Sequence, residues 1–380
     1  MSLTRLNAII HKEMLHILRD RRSLAAAILI PLMLMFAYCE SLSLDVNNIP
    51  MIIIDYDKSP ESRDFAGRFT SSGYFSIVQY VDNYRQMQRA IDRGDAVMGL
   101  SIPRDFGRKV RRADTSIPIQ ILIDGTDPNR GSIAAGYNAL ITQNFSTEII
   151  EKKLQQMGLT TAGSTIQAQV RIWYNPSLRS KNYLVPGLMA MIMSILAALL
   201  TSTTVSREWE NGTMELLIST PVSATEIVTG KFIPYFILGL IDSILILLLG
   251  YYVYSVPIKG SLTLLALVIT LFLSGMLMLG LFISCAFRSA LISNQIAFTI
   301  TYIPTMLLSG FIFFIPGMPW ILQILTYLVP ARYFLTCTRS LYAKGVGLEV
   351  LGFDIFLLFM FNLLMFLLAF ISFKKTLDVK

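Results

Sequence analysis

The chain has 380 residues, 54% of them hydrophobic and only 15% charged, a balance that excludes an ordinary soluble protein. Its formal net charge of +7 sits on an apolar chain, so the basic excess reads as lysines and arginines that hold helix ends in the cytoplasm, and no nucleic-acid partner is expected. The three cysteines, Cys39, Cys285 and Cys337, lie in or beside apolar stretches and encode no disulfide framework; small buried residues are the favoured reading, with a Cys39–Cys337 bridge as the alternative.

In residues 1–22, Leu6, Ile9, Ile10, Met14, Ile17 and Leu18 recur at helical spacing, while Asn7, His11, Lys12, Glu13, Arg19 and Asp20 take the other face. The pattern predicts an amphipathic helix lying along the inner membrane surface. An early apolar run and a small-residue cleavage site are both missing here, so the first span is expected to stay as an uncleaved anchor.

Six stretches have the roughly 20 apolar residues that cross a bilayer core: 23–44, 183–205, 232–254, 262–287, 290–315 and 351–373. Arg5, Lys12, Arg19, Arg21 and Arg22 precede the first span, which places that flank in the cytoplasm. Alternation from there puts Arg207, Lys231, Arg288, Lys374, Lys375 and Lys380 inside as well, and Lys259, Arg332, Arg339 and Lys344 outside. Both termini are expected to be cytoplasmic, the second as a short tail over 374–380.

Residues 45–182 change in texture. Apolar runs at 49–54, 74–80, 96–101 and 117–123 alternate with helix-like segments at 59–71, 83–92 and 104–113, predicting a mixed α/β domain on the extracytoplasmic side. A helix over 133–157 and a polar connector over 160–169 lead back to the membrane. The fold class is thus a polytopic α-helical membrane protein with six transmembrane helices and an extracytoplasmic α/β domain inserted between helices 1 and 2. In the remainder, 183–373, Pro316, Pro319 and Pro330 bracket an apolar segment too short to cross, which predicts an outer re-entrant hairpin at 316–333 with Trp320, Tyr327 and Tyr333 at the interface.

The most informative segment is the loop 206–231. Gly212 interrupts the helix that leaves the second span, Thr213 can cap a new short helix, and Pro221 follows its end. Ser223 and Glu226 then form a capping box that opens the next helix. Met214, Leu217 and Ile218 share one face, an apolar ridge suited to a partner's groove. No nucleotide site is encoded here: Thr229-Gly230-Lys231-Phe232 lacks the upstream glycine and following hydroxyl of a phosphate loop. His11 and His16 are spaced unlike a zinc pair, and neither catalytic nor metal-binding residues are assigned.

Along the second span Ala190, Ser194, Ala198 and Ser202 make a small-residue face, open to two readings: close helix packing, or the lining of a substrate path. Asp242, inside the third span, is a carboxylate in lipid that serves either function or a neighbouring helix. Ser194, Ala198, Ser202 and Asp242 are the candidate translocation residues.

Three stretches carry a resemblance: Arg207-Glu208-x-Glu210-x-Gly212-Thr213-x-Glu215-x-Leu217 with Thr220-Pro221-Val222-Ser223-x-x-Glu226-Ile227-x-x-Gly230-Lys231; Leu308-Ser309-Gly310-Phe311 through Thr326-Tyr327-Leu328-x-Pro330-x-Arg332-Tyr333-Phe334; and, more weakly, Lys12-Glu13 with Arg19-Asp20. On these the chain resembles the ABC-2 family of transporter permeases over nearly its whole length. The resemblance implies an exporter permease of a bacterial inner membrane that moves a drug-like or amphipathic substrate and works as a dimer with a second copy or paralogue. It also implies that the helix after Gly212 couples to a separate cytoplasmic ATPase holding ATP and magnesium, with Arg207, Glu208, Glu210, Gly212, Thr213, Met214, Glu215, Leu217, Ile218 and Pro221 as the coupling residues. A periplasmic adaptor and outer-membrane channel are further implied partners. The alternative is a membrane sensor or assembly scaffold with a ligand-binding outer domain.

Overall fold

The computed structural model describes residues 2–41, 48–112, 117–126, 128–156, 174 and 179–378, with the side chains of 22, 23, 128, 129, 218 and 374–378 left aside. The chain divides into two compact units, Met1–Ser43 with Ile172–Lys380, and Leu44–Arg171. Residues 172–182, expected in the α/β domain, therefore group with the membrane helices; Lys181 reaches Glu40 at 3.1 Å. The expected connector at 160–169 lies outside the described residues.

In the first unit, α1 (Leu3–Arg19) leads through Asp20 into α2 (Arg21–Ser41). The second unit alternates strand and helix: β1 (Ile49–Asp55), α3 (Pro60–Ser71), β2 (Phe75–Tyr80), α4 (Tyr84–Asp92), β3 (Met98–Ile102), α5 (Phe106–Arg112), β4 (Gln120–Ile123) and α6 (Pro128–Gln156). Local signals start the helices. Ser59 accepts from Ser62 N ahead of Pro60, and Asn83 accepts from Gln86 N, the side-chain caps that leave fewer orphan N–H groups. The sheet order is β2-β1-β3-β4, parallel except for the β3–β4 pair. Central β1 is apolar from Ile49 to Ile54 because both its faces are covered. Ile49, Met51 and Ile53 pack with Phe65, Phe69 and Phe106, whereas Ile52 and Ile54 pack with Val81 and Met87.

The first unit resumes with α7 (Lys181–Ser202), α8 (Ser206–Glu210), α9 (Thr213–Ile218), α10 (Ala224–Tyr252), α11 (Leu262–Ala286), α12 (Ala290–Leu308), α13 (Trp320–Thr326), α14 (Pro330–Arg339), a π-helical turn (Ser340–Lys344) and α15 (Leu348–Asp378). Among the described residues six helices are long and apolar enough to span a bilayer: α2, α7 with α8, α10, α11, α12 and α15. Four of the six expected stretches agree closely with these. The third helix starts earlier, at Ala224, because the capping box opens it there. The fifth ends at Leu308, not 315, because Gly310 takes a left-handed φ of 83° that no helix continues through.

Helices α7 and α11 are mostly buried, while α2, α12 and α15 expose most of their length. Their outward residues, such as Leu29, Met33, Phe353, Phe356, Ile300 and Ile303, are apolar, as a lipid-facing surface requires. Where α7 crosses α11, a Cβ on Gly280 would collide with the backbone of Ala198 and the hydroxyl of Thr201. All three cysteines are buried and none is in a disulfide, in line with the packing reading.

Candidate coupling site

Helices α8 and α9 form a knob at the end of the bundle where α7 stops. Its first turn is fixed by α11: Ser284 Oγ accepts from Val205 N at 2.9 Å and from Ser206 N at 3.1 Å. Its other side is fixed by α12, whose Ala290 N donates to Glu210 at 2.8 Å, a carboxylate at a helix N-terminus. Arg288 stands 4.6 Å over the Trp209 ring. Gly212 then turns the chain with φ 70°, where a side chain would be strained. Gly212 itself occupies the cap position of α9, and the Thr213 hydroxyl donates back to Glu208 O at 3.3 Å. Thr213 thus closes the preceding helix and does not cap its own.

The apolar ridge expected to face a partner faces the bundle. Met214 is fully buried with Val205, Ile227, Met278, Leu281 and Phe373, and Leu217 packs against the same cluster. The physical reason is that the ends of α10, α11 and α15 leave an apolar floor that six residues of amphipathic helix can cover at about 1.5–3 kcal/mol per large side chain. The outward face of the knob holds Asn211, Gly212, Thr213, Glu215, Leu216, Ser219, Thr220 and Pro221. Leu216, 71% exposed, is the one large apolar contact among the described side chains there and was not singled out from the sequence. The Ile218 side chain lies outside the described residues.

The capping box is present as expected, with Ser223 N to Glu226 at 2.9 Å and Glu226 N to Ser223 Oγ at 3.3 Å. Glu226 also accepts from Ser2 N at 2.5 Å, and the Arg5 guanidinium donates to Pro221 O. These contacts begin a seam between α1 and α10. Ile9 fits over Gly230, where a Cβ would stand 2.7 Å from the Ile9 side chain.

Further along, Glu13 is buried, although helical periodicity assigns it to the polar face of α1. Lys231 Nζ, 1% exposed, lies 2.9 Å from Glu13 and 2.9 Å from Glu208, and donates to Thr204 O at 3.2 Å. Lys12 completes the cluster at 2.6 Å from Glu208 and 3.3 Å from Glu13. Burial pushes the Glu13 carboxyl up, but Lys231 and then Lys12 outweigh it and hold it below the ordinary carboxylate range. Burial likewise pulls Lys12 down, and Glu208 and Glu13 raise it past its ordinary value. Four alternating charges thus join α1, α8 and α10. Lys231, placed by the sequence at an aqueous helix flank, is the centre of this joint.

Arg207 points away from the knob. With His16, Asp20 and Thr203 it forms the polar edge of a cavity of about 290 Å3 whose apolar wall includes Leu24, Ile30, Leu196 and Leu238. The candidate path residues on α7 are enclosed between helices. Ser194 Oγ meets Thr305 Oγ1 at 2.9 Å, Ser202 Oγ donates to Leu199 O at 3.0 Å and to Asn294 at 3.3 Å, and Ala198 abuts Gly280. Asp242 is 5% exposed, and neither of its carboxylate oxygens has a hydrogen-bond partner among the described residues.

At the far end of α7 the second quoted motif is a clasp. Tyr183 donates to Phe311 O at 2.7 Å, Arg339 donates to Gly310 O at 3.0 Å and lies 3.8 Å over the Tyr183 ring. Arg332 donates to Thr326 and lies 4.0 Å over Tyr327. The hairpin runs on to Lys344 beyond the expected 333, because α14 buries Phe334, Leu335 and Cys337 in the bundle. Trp320 and Tyr327 are exposed, as expected of an interface, but Tyr333 is buried and donates to Tyr327 O at 2.7 Å.

The sequence profile described as ABC-2 family transporter protein matches residues 23–371. The chain belongs to this family. Among its relatives, the probable multidrug ABC transporter permease YbhS of Escherichia coli (strain K12) is 34% identical over 378 residues, covering 100% of this chain and 99% of that one. The probable multidrug ABC transporter permease YbhR of the same strain is 31% identical over 349 residues, 91% of this chain and 92% of that one. The inner membrane transport permease YhhJ, again of that strain, is 25% identical over 334 residues. This ABC-2 permease is therefore a multi-pass transporter subunit of an ABC exporter, not an enzyme, and its family implies an ATPase partner and a dimer.

Proposed function

We propose that this permease couples ATP hydrolysis on a separate cytoplasmic subunit, which holds the ATP and magnesium, to export of a drug-like or amphipathic substrate across a bacterial inner membrane. In this reading the termini and the α8–α9 knob are cytoplasmic, the α/β unit is extracytoplasmic, and two permease copies or paralogues meet two ATPase subunits. The outward knob face, with Leu216 as its apolar contact and Glu215 beside it, sits in a groove of the ATPase. A periplasmic adaptor and an outer-membrane channel complete the route.

One observation carries the coupling role: the knob rests on side chains from α1, α10, α11 and α15 and is tied to α10 through Lys231. A push on Leu216 therefore reaches four helices at once, not a flexible loop. The substrate class is supported by the names of the YbhS and YbhR relatives and by the inner cavity, whose apolar wall and polar edge suit an amphiphile.

The test uses the full chain with its ATPase. Leu216→Asp and Glu215→Arg alter exposed positions, so thermal stability should stay within about 0.5 kcal/mol of the parent, while ATP-driven efflux is lost. Leu216→Cys should react with a membrane-impermeant maleimide only from the cytoplasmic side. Unchanged efflux, or labelling from outside, overturns the reading. The sensor alternative is favoured only if no partner ATPase supports flux.

A further inference from the structure

At the end of the bundle where α7 begins and α12 stops, a cavity of about 460 Å3 opens between α7, the turn after α12, α14 and the π-helical turn. One wall is apolar, with Phe314, Ile315 and Leu335. The other carries two cations, Arg339 and Lys344, and no carboxylate lines it. Among the described residues neither cation has an acid within ion-pair distance. Arg339 is met by the carbonyls of Gly310 and Phe311 and by the Tyr183 ring, and its buried Nε has no acceptor among the described residues. Carbonyl dipoles and a ring face satisfy some of its hydrogens but leave its full charge standing, so a nearby anion would be drawn to it.

The backbone supports the same reading. Residues 340–344 form a π-helical turn closed by Gly345 at φ 68°, a rare geometry that often accompanies binding sites. It turns Ser340 and Lys344 toward the cavity. The volume falls in the range of ligand pockets.

We propose that this cavity binds the anionic group of an amphiphile, a phosphate or carboxylate held between Arg339 and Lys344, with the apolar chain lying along Phe314, Ile315 and Leu335. The site lies at the other end of α7 from the coupling knob, so it stands or falls independently of which partner drives transport. Two sources share the chemistry: a lipid headgroup and a free anion.

Purified full-length protein in neutral detergent is titrated with phosphatidylglycerol, phosphatidylcholine or inorganic phosphate, and the thermal midpoint is followed. Phosphatidylglycerol is expected to raise it more than phosphatidylcholine does. Lys344→Gln, at an exposed position with no hydrogen bond to lose among the described residues, should weaken that effect about five-fold. Lys259→Gln, which removes an exposed charge outside the cavity, should leave it unchanged. A shift with phosphatidylglycerol and none with phosphate assigns the site to a lipid headgroup, and a shift with both shows that the anionic group alone suffices to bind; either upholds the proposal. Equal response to the two lipids, no effect of Lys344→Gln, or equal loss in both variants overturns it.

Discussion

Lys231 and Arg339 stand at opposite ends of the same helical bundle and are neutralised in opposite ways. Around Lys231 two carboxylates from two other helices lie at 2.9 Å, with Lys12 closing the cluster. Around Arg339 there are carbonyl oxygens and an aromatic face. Paired charge on three separate helices fixes their relative register, since removing a buried member leaves the others short of a counter-charge. A cation met only by dipoles holds its turn in place but keeps an outward field. One end is built as a joint, the other as a receptor for charge.

The comparison breaks most readily at Lys231. Lys231→Met leaves Glu13 and Glu208 sharing only the half-exposed Lys12 ammonium and should cost about 3–5 kcal/mol in detergent unfolding; adding Glu13→Gln should restore part of that loss. Additive effects would mean the four charges are not one unit. Next, Arg339→Gln loses the charged hydrogen bonds to the Gly310 and Phe311 carbonyls, about 1.5–3 kcal/mol, and Arg339→Lys recovers only part because a point ammonium lacks the fork.

A pH series sharpens the difference. The folded pKa of Glu13 lies below its unfolded value of about 4.3, so its contribution is complete above that value and disappears as pH falls through the folded pKa. Lys12 is raised, so its contribution is complete below about 10.4 and is lost only as pH rises through its folded value. The contribution of this cluster should be flat between these limits, and Glu13→Gln should shrink, without abolishing, the acid limb that Glu61, Glu148 and Glu226 share. Smallest of all, Lys12→Gln, half exposed and solvent-screened, should cost only about 0.2–1 kcal/mol.

Much of this molecule is written in local patterns. Span lengths, the alternating elements from β1 to α6, and the Ser223–Glu226 box follow from periodicity and capping that each stretch carries within itself. What the pattern could not place is what depends on partners far along the chain. Glu13 falls on the polar side of α1 by spacing, yet its partner Lys231 is 218 residues away. The clue was present: a lysine flanked by Ile227, Val228, Phe232 and Ile233 needs a counter-charge, and Glu13 and Glu208 both stood among the quoted carboxylates. Met214 and Leu217 were rightly grouped on one face, but sequence spacing says nothing of which neighbour that face meets. Leu216, alone among polar neighbours on the other side, was the residue to question. Arg207 was legible as a charged residue after the second span, but not as the rim of a cavity, because α1 and α2 supply the opposite wall.

The crossing of α7 and α11 leaves no cushion of side chains at Gly280, whose Cα lies directly against the Ala198 backbone and Thr201. Two rods in such contact can swivel, but a slip of one turn would drive the larger flanking residues into main chain. A cycle of opening and closing would therefore swing its peripheral walls, α2 and α12, about this fixed axle; a staple joining α7 to α11 should be tolerated during turnover, whereas one immobilising α2 against α7 should arrest it.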